Sequence, residues 1–223
     1  MSMDREVLAR SLESTLLKPE TTVDQIQALC QEAIQLGLGG VCVPPYFVKE
    51  ARRQLEGKGP LVVSVVGFPL GYNCTAGKVE EIKKLIHDGA SEVDVVVDIP
   101  AVKDKNWTYL ENELRAVSQI THLKNQTIKL IIEMGMMNPD EVRMICSIAE
   151  TCGVDFIKTS TGMLAPGPSK EDIQFLRQIL KPLTRIKASA GIRTAEKAIE
   201  LIEAGADRIG TSSAGKIMSE WKG

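Results

Sequence analysis

The sequence predicts a (β/α)8 barrel, and three observations predict it. A short apolar run followed by an amphipathic segment recurs through all 223 residues, with no linker, charge block or low-complexity stretch between them. Gly37, Gly89, Gly153 and Gly205 each follow a helical pattern, as a left-handed C-terminal cap would, and a strand pattern follows each almost at once. These glycines stand 52, 64 and 52 residues apart, which leaves room for one further strand–helix unit in each interval. Such alternation implies a parallel sheet, and eight units over this length close as one TIM barrel spanning residues 1–223. An open doubly wound sheet is the alternative, but no G-x-G-x-x-G follows the first strand to favour it.

The elements follow in order. Leu12–Leu16 reads as the first strand, and Ile26, Leu29, Cys30 and Ala33 repeat at helical spacing after it. Strands are then expected at Val41–Val43, Leu61–Val66, Val93–Val97 and Ile128–Ile132. Asn138-Pro139-Asp140-Glu141 supplies an N-cap, a proline at the first helical position and an acid at the third, opening the helix marked by Val142, Ile145, Cys146 and Ala149. Asp155–Thr159 is the sixth strand, Ser169 caps the next helix, and Thr184–Ala188 is the seventh strand. Thr194 caps the helix of Ala195, Ala198, Ile199 and Ile202, and Asp207–Thr211 ends the series before a helix at Ala214–Met218.

Composition excludes several functions. With 27 basic and 29 acidic residues the net charge is −2, so there is no electrostatic footprint for nucleic acid. No stretch reaches the roughly 18 consecutive apolar residues of a membrane span, and Met1–Arg10 has no signal-peptide run. Five scattered cysteines without a C-x-x-C pair read as free thiols, which points to the cytoplasm. Two histidines, His87 and His122, both within or at the ends of helical patterns, cannot supply a catalytic zinc site, so the chemistry is expected to need neither metal nor cofactor. The sequence leaves the oligomeric state open, a homodimer or higher homo-oligomer being compatible with it.

In a barrel of this kind the chemistry sits at the C-terminal strand ends. Alternation sends Glu92, Asp94, Val96 and Asp98 inward from one strand, Lys129, Ile131 and Glu133 from the next, then Phe156 and Lys158, then Lys187. One such lysine would read as a strand-end charge reaching solvent. Three with carboxylates in one lumen must pair or serve function, since unpaired buried charge is costly. A cation beside an amine disfavours its protonation, and a neutral amine condenses with a carbonyl to an imine that allows carbon–carbon cleavage without metal. Asp94 is placed to move protons. Beyond the last strands lie Thr159-Ser160-Thr161-Gly162, Ala190-Gly191-Ile192-Arg193-Thr194 and Gly210-Thr211-Ser212-Ser213. Each alone reads as an ordinary turn, but together they suit a phosphate.

These segments resemble those of the deoxyribose-phosphate aldolase family, a class I family. Asp155-Phe-Ile-Lys158-Thr-Ser-Thr-Gly162 looks like the Schiff-base segment, and Ile186-Lys187-Ala-Ser-Ala-Gly191-Ile-Arg-Thr194 like the second-lysine and phosphate segment. Glu92-Val-Asp94-Val-Val resembles the acid/base strand and Arg208-Ile-Gly-Thr-Ser-Ser213 the final phosphate turn. Ser14–Pro19, Val41–Val48 and Val66–Gly71 extend the resemblance over nearly the whole chain in order. It implies reversible cleavage of 2-deoxy-D-ribose 5-phosphate to glyceraldehyde 3-phosphate and acetaldehyde. Lys158 would form the imine, Lys187 would lower its pKa, and Asp94 would relay protons with water. Gly162, Gly191, Gly210, Ser212 and Ser213 would hold the phosphate, with Thr161 beside the substrate chain. Departures are Glu13-Ser14 for a usual Asp-His near the substrate hydroxyls, Pro44 and Asp98 for frequent asparagines, Met163 for a common lysine or aromatic, and Ala190 for a glycine. A related class I aldolase on another phosphorylated aldehyde or ketose, and a non-catalytic sugar-phosphate-binding barrel, are the alternatives.

Overall fold

The computed structural model describes residues 3–222. Among them, β1 (Leu12–Thr15), β2 (Gly40–Val43), β3 (Leu61–Val66), β4 (Glu92–Val96), β5 (Thr127–Ile131), β6 (Phe156–Lys158), β7 (Arg185–Ser189) and β8 (Arg208–Thr211) form a closed barrel in chain order, β8 returning to β1. Every pairing is parallel. The barrel expected from the alternation is therefore the fold observed.

Helices cover the barrel: α1 (Arg5–Ser11) precedes β1, α2 (Val23–Leu36) links β1 to β2, and α3 (Val48–Leu55) and α4 (Thr75–Asp88) follow β2 and β3. After β4 come two, α5 (Ile99–Lys103) and α6 (Trp107–His122); α7 (Pro139–Thr151), α8 (Lys170–Ile179), α9 (Ala195–Glu203) and α10 (Ala214–Glu220) follow β5 to β8. The expected caps are present. Asn138 and Ser169 each form a reciprocal capping box, and Thr194 accepts from the Lys197 amide. Gly37, Gly89, Gly153 and Gly205 all have positive φ, which their lack of a Cβ allows without strain.

Outward strand residues such as Val41, Val93, Val95, Ile128, Leu130, Ile157, Ile186 and Ile209 are buried against the helices in one continuous core. The inward set divides by sector. On β2 and β3 it is apolar, with Cys42, Val63 and Val65 packed against Leu17 and Phe68. On the remaining strands it is largely charged, with Val96, Ile131 and Phe156 beside the charges. Register aligns these charges, pairing Asp94 with Lys129, Lys158 with Lys187, and Lys187 with Arg208. Neighbouring strands lie about 4.8 Å apart, so aligned inward side chains must touch.

Two inward assignments do not hold, because both strands stop before the residues concerned. Asp98 lies beyond the end of β4 and caps α5, its carboxylate accepting from the Ala101 amide at 2.9 Å. Glu133 lies beyond β5 at φ +46°, where the left-handed backbone breaks the alternation, and its carboxylate accepts from the Thr161 amide at 2.9 Å. Glu133 thus ties the loop after β6 rather than joining the lysines.

Candidate active site

Asp94 sits at the centre of the lumen, wholly buried. Its Oδ2 accepts from Lys158 Nζ at 2.8 Å and from Lys187 Nζ at 2.8 Å, while Oδ1 accepts from Lys129 Nζ at 2.9 Å. The Lys158 and Lys187 nitrogens share one oxygen, so they are separated by no more than twice that bond length. The three residues expected to act together, Lys158, Lys187 and Asp94, do converge.

Sequence reasoning sent Lys129, Glu92 and Phe156 inward, as observed, but missed the parts that Glu13 and Arg208 play in the network. Glu13 on β1 receives a hydrogen bond from Lys187, lies 3.6 Å from Lys129 and binds Arg208 Nη1 at 2.9 Å. Glu92 pairs with Lys129 and lies 3.6 Å from Arg208. Phe156 lies beneath, with Lys129, Arg185 and Arg208 over its ring at 5.7, 4.0 and 5.6 Å. The signal was available: placing Leu12 and Ile209 outward sends Glu13 and Arg208 inward by the same alternation.

The electrostatics follow from this crowding. Burial opposes the charge on Asp94, but Lys129, Lys158 and Lys187 together outweigh it and hold the carboxyl well below its ordinary range. Glu13 is likewise lowered, burial being outweighed by Lys129 and Lys187. Lys187 is raised despite full burial, because Asp94 and Glu13 face it, and Lys129 is raised for the corresponding reason. Burial pushes the Cys42 thiol up to about 11, so this lumen sulfur stays protonated at neutral pH.

Above this cluster opens a cavity of about 300 Å³, with Lys158 at its floor. Neither Lys129 nor Lys187 lines it. Of the positions expected to hold phosphate, Gly162, Gly191, Gly210 and Ser212 line the cavity and Ser213 does not; the Ser213 amide donates instead to Thr211 Oγ1 at 2.9 Å. Thr161 also lines it, its hydroxyl accepting from the Met163 amide at 3.1 Å. Glu13 lies below the cavity, buried, and is not among the residues lining it. Lys18 and Arg193, both exposed at the rim, were not singled out from the sequence; each follows a strand end by a few residues and adds positive charge.

Hydroxyl bonds fix the loops around the cavity. Thr159 Oγ1 accepts from the Ser189 amide at 3.1 Å, and Ser189 Oγ donates to the Ser160 carbonyl at 2.7 Å, joining the loops after β6 and β7. Gly191 has φ +73° and open space where a Cβ would stand. Gly210 contributes differently: a Cβ there would lie 3.1 Å from Lys187 Cε and from Ser189 Cβ, so its absence spares the lysine a tight contact. Among the described residues no cluster of His, Cys, Asp and Glu suits a metal ion, and no helix is long and apolar enough to cross a membrane.

A parallel barrel with a lysine amine at the floor of a glycine- and hydroxyl-lined cavity places the chain among the barrel aldolases. It belongs to the family described as DeoC/LacD family aldolase, whose model matches residues 1–219. A deoxyribose-phosphate aldolase of Thermococcus kodakarensis is 44% identical over 218 residues, 97% of each chain. One from Listeria monocytogenes serotype 4a is 43% identical over 212 residues, 95% of each. The structure described as a tetrameric deoxyribose phosphate aldolase from Aeropyrum pernix superposes with a TM-score of 0.91 at 30% identity, covering 97% of this chain and 91% of that one.

Proposed function

We propose that the chain cleaves 2-deoxy-D-ribose 5-phosphate reversibly to D-glyceraldehyde 3-phosphate and acetaldehyde through an imine on Lys158. The carrying observation is that Lys158 alone of the three clustered lysines reaches the cavity while sharing Asp94 Oδ2 with Lys187. Family membership and the activity by which the relatives are named support the substrate.

The unprotonated Lys158 amine attacks the C1 aldehyde of the open-chain sugar, and loss of water leaves a protonated imine. Removal of the O3 proton lets the C2–C3 bond break, its electron pair moving into an enamine on Lys158. Glyceraldehyde 3-phosphate leaves, the enamine takes a proton at C2, and hydrolysis of the imine releases acetaldehyde and restores the amine. Asp94, with water, moves these protons. Lys187 is the fixed cation: held charged by Asp94 and Glu13, it works against a second charge on Lys158. The backbone around Gly162, Gly191 and Gly210, with Ser212, receives the phosphate, and Lys18 and Arg193 add charge at the rim. Ser213 is left to support the turn. A cytoplasmic setting suits the free cysteines, and a homo-oligomer would parallel the tetrameric relative.

Borohydride reduction in the presence of acetaldehyde tests the reading. A single reduced adduct is expected on Lys158, absent in Lys158→Leu, with turnover of the sugar phosphate lost alongside it. An adduct on another lysine, or none, overturns the assignment.

A further inference from the structure

The lumen cluster contains four cations, the buried Lys129, Lys158 and Lys187 and the partly buried Arg208, against three buried carboxylates, Glu13, Glu92 and Asp94. A lumen shielded from water does not hold an uncompensated charge cheaply, so one cation is in excess. Arg208 cannot be the one that yields a proton, because a guanidinium stays charged in proteins. Lys187 is held by both Asp94 and Glu13, and Lys129 by Asp94, Glu92 and Glu13. Lys158 has Asp94 alone, on an oxygen already shared with Lys187.

We propose that Arg208 is a positioning residue for the aldol chemistry: it gives the cluster one positive charge more than its carboxylates, so that Lys158 is the amine left without a proton. Arg208 acts at one remove. Its guanidinium occupies Glu13 Oε1 and faces Glu92 Oε2, which takes from those carboxylates the capacity to neutralise a further ammonium. Other groups around the lumen do not alter the balance. β2 contributes Cys42, which stays a neutral thiol, and β3 contributes the apolar Val63 and Val65. Arg185 at the start of β7 stacks on Phe156 but is solvated, as are Lys18 and Arg193 at the opposite mouth. Glu133 is engaged by the Thr161 amide, and the Lys78–Glu113 pair lies among the surrounding helices.

The inference rests on the imine reading, and the test separates the two. Full-length parent, Arg208→Met, Arg208→Lys and Glu92→Gln would be treated with acetaldehyde and cyanoborohydride across the neutral range, and adduct on Lys158 followed by peptide mass spectrometry. In Arg208→Met the pH of half-maximal trapping should rise by about one unit, and Arg208→Lys should return it towards the parent. Glu92→Gln removes a negative charge, so its midpoint should fall. That opposite shift is not produced by loosened packing, and it decides the matter if Arg208→Met does not fold. Midpoints that coincide with the parent's in the folded variants overturn the role of Arg208 while leaving the imine intact. No adduct on Lys158 in the parent at any pH overturns the imine reading, and this inference with it.

Discussion

Ala190 shows what a single methyl group can cost. It lies at φ +83°, a left-handed conformation that L residues other than glycine enter at about 1–2 kcal/mol, and it lines the cavity. Gly167 packs closely against the Ala190 carbonyl, so that a Cβ at 167 would fall 1.8 Å from that oxygen. Ala190→Gly relieves the strain but adds about 0.4–1 kcal/mol of unfolded-chain entropy. Strain is the larger of the two, so the variant should gain about 0.5 kcal/mol. Urea unfolding measures it, and a loss of stability would mean that contacts of the methyl outweigh the backbone strain. The alanine was visible in the sequence as a departure from the family; its conformation was not, because φ at 190 is set by the loops packed round it.

The strands were legible to within a residue or two, because Val- and Ile-rich runs bounded by capping glycines are a local signal. What local signals missed were strand ends and partners across the barrel. Asp98 and Glu133 were misplaced by carrying alternation past the last paired residue. The short helices α1 and α5 have too little periodicity to be read. The buried Lys78–Glu113 pair between α4 and α6 was also invisible, since helical spacing puts each on an apolar face and nothing local joins them. Lys78 Nζ lies 2.9 Å from Glu113 Oε1 and donates to the Val96 carbonyl at 2.9 Å, fastening the end of the strand that carries Asp94. Both side chains are fully buried, and burial outweighs Lys78 in pushing the Glu113 carboxyl up. Such a pair is costly to break and cheap to replace whole. Glu113→Leu alone should lose about 3–5 kcal/mol, whereas Lys78→Met with Glu113→Leu should lie near the parent or above it. Chemical denaturation of the three proteins decides this; a single variant as stable as the parent would show that Lys78 is not left carrying an uncompensated buried charge.

At the scale of the whole barrel, one charged lumen couples strands from both ends of the chain, Glu13 on β1 to Lys187 on β7 and Arg208 on β8. No sequence window spans that distance, so Lys158, Lys187 and Asp94 could be nominated together from the sequence but the pairing of Glu13 with Lys187 and Arg208 could not. The coupling has a signature in stability. Asp94 and Glu13 are lowered from ordinary values of 3.8 and 4.5, and Lys187 is raised from 10.5. For the carboxylates, the folded state binds protons less readily than the unfolded chain. Their contribution is therefore complete above 4.5, begins to fall below it, and is gone once the pH has dropped through the lower native values. For Lys187 the sign reverses: its contribution is complete below 10.5 and is lost as the pH rises through the higher native value. Between those limits the cluster should add a constant amount, and below them the acid limb should steepen by about 1.4 kcal/mol per pH unit for each carboxylate involved. Unfolding by urea at stepped pH should show Asp94→Asn with a shallower acid limb than the parent by about that amount, and Glu13→Gln likewise where Asp94→Asn fails to fold. Parallel acid limbs in parent and variant would mean that these carboxylates titrate alike in the folded and unfolded chains, which a buried, lysine-paired position does not allow.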